Sequence, residues 1–173
     1  MRKLIRAREI ICALSVATAD GVFRAYYSAK GLAGLNFPAG RTSSRTANPK
    51  DIPANILGWH RATESALKSI LAGRTPKKFP PCDLAEGTEF QQSVWRELQK
   101  ISAGQTKSYG DIARLIRKPK AVRAVGGACG ANPTPVLIPC HRVLAANGRL
   151  GGFSGGLEWK RKLLAGENAA FNK

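Results

Sequence analysis

Acidic residues are scarce in this 173-residue chain: 11 Asp and Glu stand against 28 Lys and Arg, for a formal charge of +17 at pH 7 and a sequence pI near 10.4. Solubility alone does not require such an excess. It implies an anionic partner, with nucleic acid first. An anionic membrane surface fits less well, because no long basic amphipathic helix is evident. No apolar run approaches the roughly 18 residues of a membrane span. The four cysteines, Cys12, Cys82, Cys129 and Cys140, include no CxxC pair. They read as reduced thiols of an intracellular protein rather than a small disulfide scaffold. Repeats and low-complexity segments are missing too. The start, "MRKLIRAREIICALSVATADG", has the order of a poor signal peptide, but Arg6, Arg8 and Glu9 leave an apolar run of only about eight residues.

What is present suffices for a packed core: 43% of the residues are hydrophobic, and the length fits one large domain or two small ones. Residues 10–37 read as a strand meander with turns at Asp20-Gly21 and Lys30-Gly31. Residues 38–54 are a polar loop. In 55–72, Ile56, Trp59, Ala62, Ala66, Leu67 and Ile70 recur at helical spacing. The proline-rich "GRTPKKFPPCDLAEGT" is a linker, which sets domains of 1–80 and 81–173. Beyond it, Thr88 caps a helix with a Phe90, Val94, Trp95, Leu98, Ile101 stripe. Ser108 caps a short helix with Asp111 at its third position. "RKPK" breaks it, and "AVRAVGGACGA" is a further helix. Two short helices across a turn, in a basic setting, suggest a helix-turn-helix. "PTPVLIPC" is expected to be extended by its prolines, and "LEWKRKLLAGE" to form an amphipathic helix. The fold class is α/β (α+β): a small antiparallel sheet with a helix, then a mostly helical half.

"LIPCHRVLAANGRLGGFSGG" poses a geometric question. Strand neighbours point to opposite faces, so Cys140 and His141 cooperate only if the backbone turns sharply or a water bridges them. A cysteine becomes a nucleophile when a base, a cation or a helix N-terminus favours its thiolate. His141 is an available base, and Glu167 a third member that could orient it. Asn132 and the prolines at 133, 135 and 139 would hold the turn. The other reading is a buried structural thiol beside a surface histidine, and the pair alone does not separate the two.

The longer context does. Arg-Ala-Val-Gly at 123–126, Asn-Pro at 132–133, Ile-Pro-Cys-His-Arg-Val at 138–143, Gly-Phe-Ser-Gly-Gly at 152–156 and Leu-Leu before Glu167 together resemble the active-site region of the O6-alkylguanine-DNA alkyltransferases. "GTEFQQSVWREL" and "TKSYGDIA" extend the resemblance over roughly residues 79–167. It implies direct-reversal repair of double-stranded DNA: an alkyl group passes irreversibly from O6 of a flipped-out guanine to Cys140, with O4 of thymine left open as a second target. It implies His141 as base through a water, Glu167 polarising it and Asn132 bracing the turn. Tyr109, Gly110, Lys118, Arg123 and Arg142 would meet DNA, with Arg123 filling the space of the flipped base. Arg142 is open between a phosphate contact and a structural ion pair. Val143, Phe153, Ser154 and Gly155 would form the pocket, with backbone near Val143 reading the guanine edge and Ser154 donating towards O6. Phe153 stands where many relatives have tyrosine, so the ring is kept and a hydroxyl is lost.

The resemblance further implies a ribonuclease-H-like N-terminal domain and a winged helix-turn-helix set in the minor groove. Some relatives bind zinc through two cysteines and two histidines. Apart from His141 this chain has only His60, so no metal and no cofactor are expected. Cys129 is read as packing, and Cys12 and Cys82 as structural thiols. A monomer in the cytoplasm (the nucleus in a eukaryote), with no membrane partner, completes the expectation. A lesion-binding adaptor without transfer and a Cys-His hydrolase rank below it.

Overall fold

The computed structural model describes residues 9–38 and 52–172, so most of the polar loop at 38–54 lies outside the described residues. The meander forms as expected: β1 (Cys12–Thr18), β2 (Gly21–Ser28) and β3 (Gly31–Asn36) make an antiparallel sheet in that order. Alternation buries Leu14, Val16, Phe23, Ala25 and Tyr27 on one face, each large apolar side chain contributing roughly 1.5–3 kcal/mol. Helix α1 (Ala54–Leu71) covers that face with Ile56, Ala66, Leu67 and Ile70.

The linker is stitched to the sheet rather than free. Leu32 N–H donates to the Pro81 carbonyl at 2.7 Å, Asp83 N–H to the Leu32 carbonyl at 2.8 Å, and Ser28 Oγ to Asp83 Oδ2 at 2.6 Å. Gly31 permits this: it has φ +144°, and a Cβ there would stand 2.3 Å from the Pro81 oxygen. The edge of β3 is thereby covered.

Helix α2 (Glu89–Leu98) starts in a full capping box between Thr88 and Gln91, and α3 (Tyr109–Leu115) in one between Ser108 and Asp111. Between them, β4 (Lys107–Ser108) pairs in parallel with β5 (Val143–Leu144). That pairing ties the first residue of α3, Tyr109, to the segment just after Cys140. Helix α4 (Val122–Gly130) packs with α2 and α3 around Val94, Trp95, Leu98, Ile112, Val125 and Ile138, and Trp95 Nε1 donates to the Ala128 carbonyl at 2.8 Å. Helix α5 (Leu157–Gly166) turns Lys160, Leu163 and Leu164 inward.

One expectation fails. "PTPVLIPC" is not extended. Ile138 N–H closes onto the Thr134 carbonyl at 2.9 Å, and buried Val136 takes φ +74°. A β-branched residue rarely adopts that conformation. Local proline preference is overridden by the Asn132 side chain, which holds both ends of the segment.

Candidate active site

The Asn132 side chain makes three bonds. Its Oδ1 accepts from Thr134 N–H at 3.1 Å, and its Nδ2 donates to the Ile138 carbonyl at 2.8 Å and to Cys140 Sγ at 3.2 Å. One amide thus fastens a strained loop and presents a donor to the sulfur. Strain of this sort persists only where surrounding bonds over-determine it. Cys140 then opens a 3₁₀ turn, Cys140–Arg142. Successive side chains on such a turn diverge by about 120°, not 180°, so Cys140 and His141 are both turned inward, 3% and 0% exposed.

Behind the turn lies a closed charge network. His141 Nε2 and Glu167 Oε1 are 3.1 Å apart. Arg142 clamps the same carboxylate from Nε to Oε2 at 2.9 Å and from Nη2 to Oε1 at 2.7 Å, while Nη1 donates to the Ile101 carbonyl. Burial alone pushes the Glu167 carboxyl up, but the bonds and charges of His141 and Arg142 outweigh it and hold it at about 2. Glu167 is ionised, so His141 gives it the Nε2 proton and keeps Nδ1 as the basic nitrogen. That Nδ1 is buried and meets no protein partner among the described residues. Burial also lowers the His141 pKa below the usual 6.5, against the pull of Glu167, so the ring is neutral at pH 7. Burial pushes the Cys140 thiol up to about 11, opposed by Asn132, by the Lys160 charge and by the N–H groups of Cys140 and His141. The resting group is a thiol surrounded by donors that favour its anion, and it needs a base.

The sulfur faces a cavity of about 600 Å³ lined by Tyr109, Arg123, Cys129, Cys140, Phe153 and Ser154, with Val122, Gly126, Gly130 and Gly152 between them. Burial raises the Tyr109 hydroxyl to about 12 and the Cys129 thiol to about 12, so both remain protonated. Phe153 rests on a chain of rings: its centroid lies 5.6 Å from Phe37, which is 5.1 Å from Trp159 and 5.6 Å from Phe23. The N-terminal sheet therefore supports the pocket wall.

The expected site residues divide between the cavity wall, the protein interior and the exposed surface. Arg142 is buried against Glu167 and does not reach a surface where a phosphate could meet it; of its two readings, the ion pair is the one observed. Val143 and Gly155 do not line the cavity. Val143 is fully buried, and a Cβ on Gly155 would sit 2.5 Å from the Phe37 ring, so this glycine serves close packing. Gly110 lies in the first turn of α3, outside the lining. Lys118 is exposed in the α3–α4 connection, its Nζ 5.6 Å from the Phe90 centroid, and Arg123 projects from the first turn of α4. Cys129 is both packing and cavity wall. Sequence reading missed Lys160, which is fully buried. A signal existed: positions 160, 163, 164 and 167 form one helical stripe, and a lysine on it is anomalous.

Fold and site together define a protein built around a buried cysteine, backed by a histidine–glutamate pair and opening on a pocket beside two short helices. A family model described as "6-O-methylguanine DNA methyltransferase, DNA binding domain" matches residues 89–169. A methylated-DNA–protein-cysteine methyltransferase of Mycolicibacterium paratuberculosis is 56% identical over 114 residues, 62% of this chain and 68% of that one. An inducible one of Bacillus subtilis is 52% identical over 104 residues, 60% of this chain and 58% of that one. The chain thus spans about two thirds or less of these relatives' length. A crystal structure of Mycobacterium tuberculosis OGT in complex with DNA superposes with a TM-score of 0.73 at 36% identity, over 89% of this chain and 91% of that one. The chain belongs to the O6-methylguanine-DNA methyltransferase family.

Proposed function

We propose that this protein repairs double-stranded DNA by moving an alkyl group from O6 of guanine to Cys140, once per molecule. The observation that carries the reading is the Cys140 sulfur at the pocket wall, 3.2 Å from the Asn132 amide and next to a neutral histidine held by an ionised Glu167.

The sequence of events follows from these groups. A basic surface gathers the duplex without sequence preference. The α3–α4 pair, acting as a winged helix-turn-helix, approaches the backbone; Lys118 and Gly110 meet phosphates, and Arg123 fills the gap left by the extruded base. The open glycine positions on the cavity wall leave room for that base. His141 Nδ1 takes the thiol proton through a water. The thiolate attacks the alkyl carbon, the S–C bond forms as the C–O6 bond breaks, and Tyr109 and Ser154 donate to the departing guanine. A thioether is a poor leaving group, so the protein is consumed. Residues 1–80 would act as the supporting domain and 81–173 as the reacting one, in a cytoplasmic (in a eukaryote, nuclear) monomer without cofactor. No described helix is long and apolar enough to cross a membrane.

The test is intact mass after mixing with a duplex containing O6-methylguanine. The expected gain is one methyl for one hydrogen, about 14 Da, absent in Cys140→Ala. Tight lesion binding without mass gain would instead indicate an adaptor.

A further inference from the structure

The end of β3 meets the site at two points. Leu35 N–H donates to the Pro133 carbonyl at 2.8 Å, at the start of the loop that carries the Cys140 sulfur. Two residues further on, the Phe37 ring backs another wall of the same cavity. Its centroid lies 5.6 Å from that of Phe153, edge-on at 74°, and a Cβ on Gly155 would stand 2.5 Å from the ring. Phe37 thus packs on the residues either side of Ser154. No helix or strand runs through residues 150–156. The wall is a turn, closed by Gly156 N–H on the Phe153 carbonyl at 3.0 Å, with left-handed Gly151 and Gly156 at its flanks. Glycine in that conformation adds little stiffness of its own, so the turn stands where its neighbours hold it. Phe37, by contrast, has no room to recede. The proline after it disfavours helical backbone, and Pro38 rests on Gly21, where a Cβ would come within 2.9 Å of it. Behind the ring stand fully buried Phe23 at 5.6 Å and Trp159 at 5.1 Å, themselves 5.4 Å apart.

We propose that Phe37 is a positioning residue that sets the width of the transfer pocket, and so decides which alkyl groups reach Cys140. One strand end fixes both the loop that carries the sulfur and the Phe153–Ser154 wall, so the gap between them is set by the N-terminal half of the chain. Interiors are close-packed. A smaller side chain at 37 leaves a void behind Phe153 and Gly155, and the wall moves into it. The cavity then widens beside the sulfur: a small alkyl group is held less closely, and a large one gains room.

This inference rests on the alkyl-transfer reading, and its test separates the two. Phe37→Ala and Phe37→Leu are compared with the parent, as full chains, in three measurements. These are single-turnover transfer from duplexes carrying O6-methylguanine or O6-benzylguanine, affinity for undamaged duplex, and the relative rates at which iodoacetamide and N-phenyliodoacetamide label the Cys140 peptide. For Phe37→Ala the ratio of benzyl to methyl transfer is expected to rise roughly 10-fold or more, and for Phe37→Leu by less. The phenyl label should gain on the small one in the same order, and duplex affinity should stay parental. A merely structural loss slows both substrates alike and leaves the ratio where it was. A parental or lowered ratio in folded Phe37→Ala would therefore overturn the proposal, as would methyl transfer with no benzyl transfer by parent or variants. Should Phe37→Ala not fold, Phe37→Leu decides by the same criterion. If the parent takes up neither group, the repair reading fails, and the labelling ratio alone decides whether Phe37 sets the width at the sulfur.

Discussion

Glu167 is where residue-level chemistry and stability meet. Its carboxylate holds a histidine and clamps a buried arginine, so Glu167→Gln removes the charge that compensates Arg142. Breaking a buried pair from one side costs roughly 3–5 kcal/mol, and chemical denaturation of the variant should show a loss of that order. The pH dependence has a definite sign. The folded-state value, about 2, lies below the ordinary 4.5, so the stabilisation is complete above pH 4.5 and is lost as pH falls towards 2. Acid unfolding of the parent should carry this component, and Glu167→Gln should be flatter across that window. Since only neutral His141 accepts a proton, transfer should fall on the acid side, with a midpoint below 6.5. Cys140, His141, Asn132 and Glu167 were named as one group through the motif resemblance, not through residue type alone, and the structure brings them together. The partner of Arg142 was not legible, because a guanidinium suits phosphate and carboxylate alike.

Element boundaries were legible where caps and turns announce them. Thr88 and Ser108 start their helices as their side chains require. Ser108→Ala should cost about 1 kcal/mol of stability, measured by thermal unfolding. Because Tyr109 is the first residue of α3, it should also slow transfer more than a comparable cap loss at Thr88. The loop between Asn132 and Cys140 was misread as extended, since proline preferences are local and the bonds of the Asn132 amide are not. Gly155 was read as pocket space, whereas its Cα packs on Phe37. Gly155→Ala forces a Cβ to within 2.5 Å of that ring, so overpacking of roughly 1–3 kcal/mol is expected. Tryptophan fluorescence should report the shift, because Trp159 stacks in the same cluster.

At the scale of the whole molecule, the proposed function has the charge of +17 govern encounter with DNA. Each phosphate neutralised contributes a slope of about −0.9 to log affinity against log salt. Binding to undamaged duplex should therefore fall steeply between roughly 50 and 200 mM salt, while the yield of transfer at saturating protein stays one to one; a flat titration would remove the electrostatic account. The sequence by itself pointed to an anionic partner, to the order of strands and helices, and to Cys140 as the candidate acceptor. Each rests on composition, on short-range periodicity or on a motif read within a few residues. Only tertiary structure decided that Arg142 faces Glu167, that Phe37 of the N-terminal part braces Phe153, and that Lys160 belongs inside. Those outcomes depend on which distant surfaces are desolvated against each other. A buried charge or ring takes the partner that packing leaves beside it, and no local pattern in the chain states that choice.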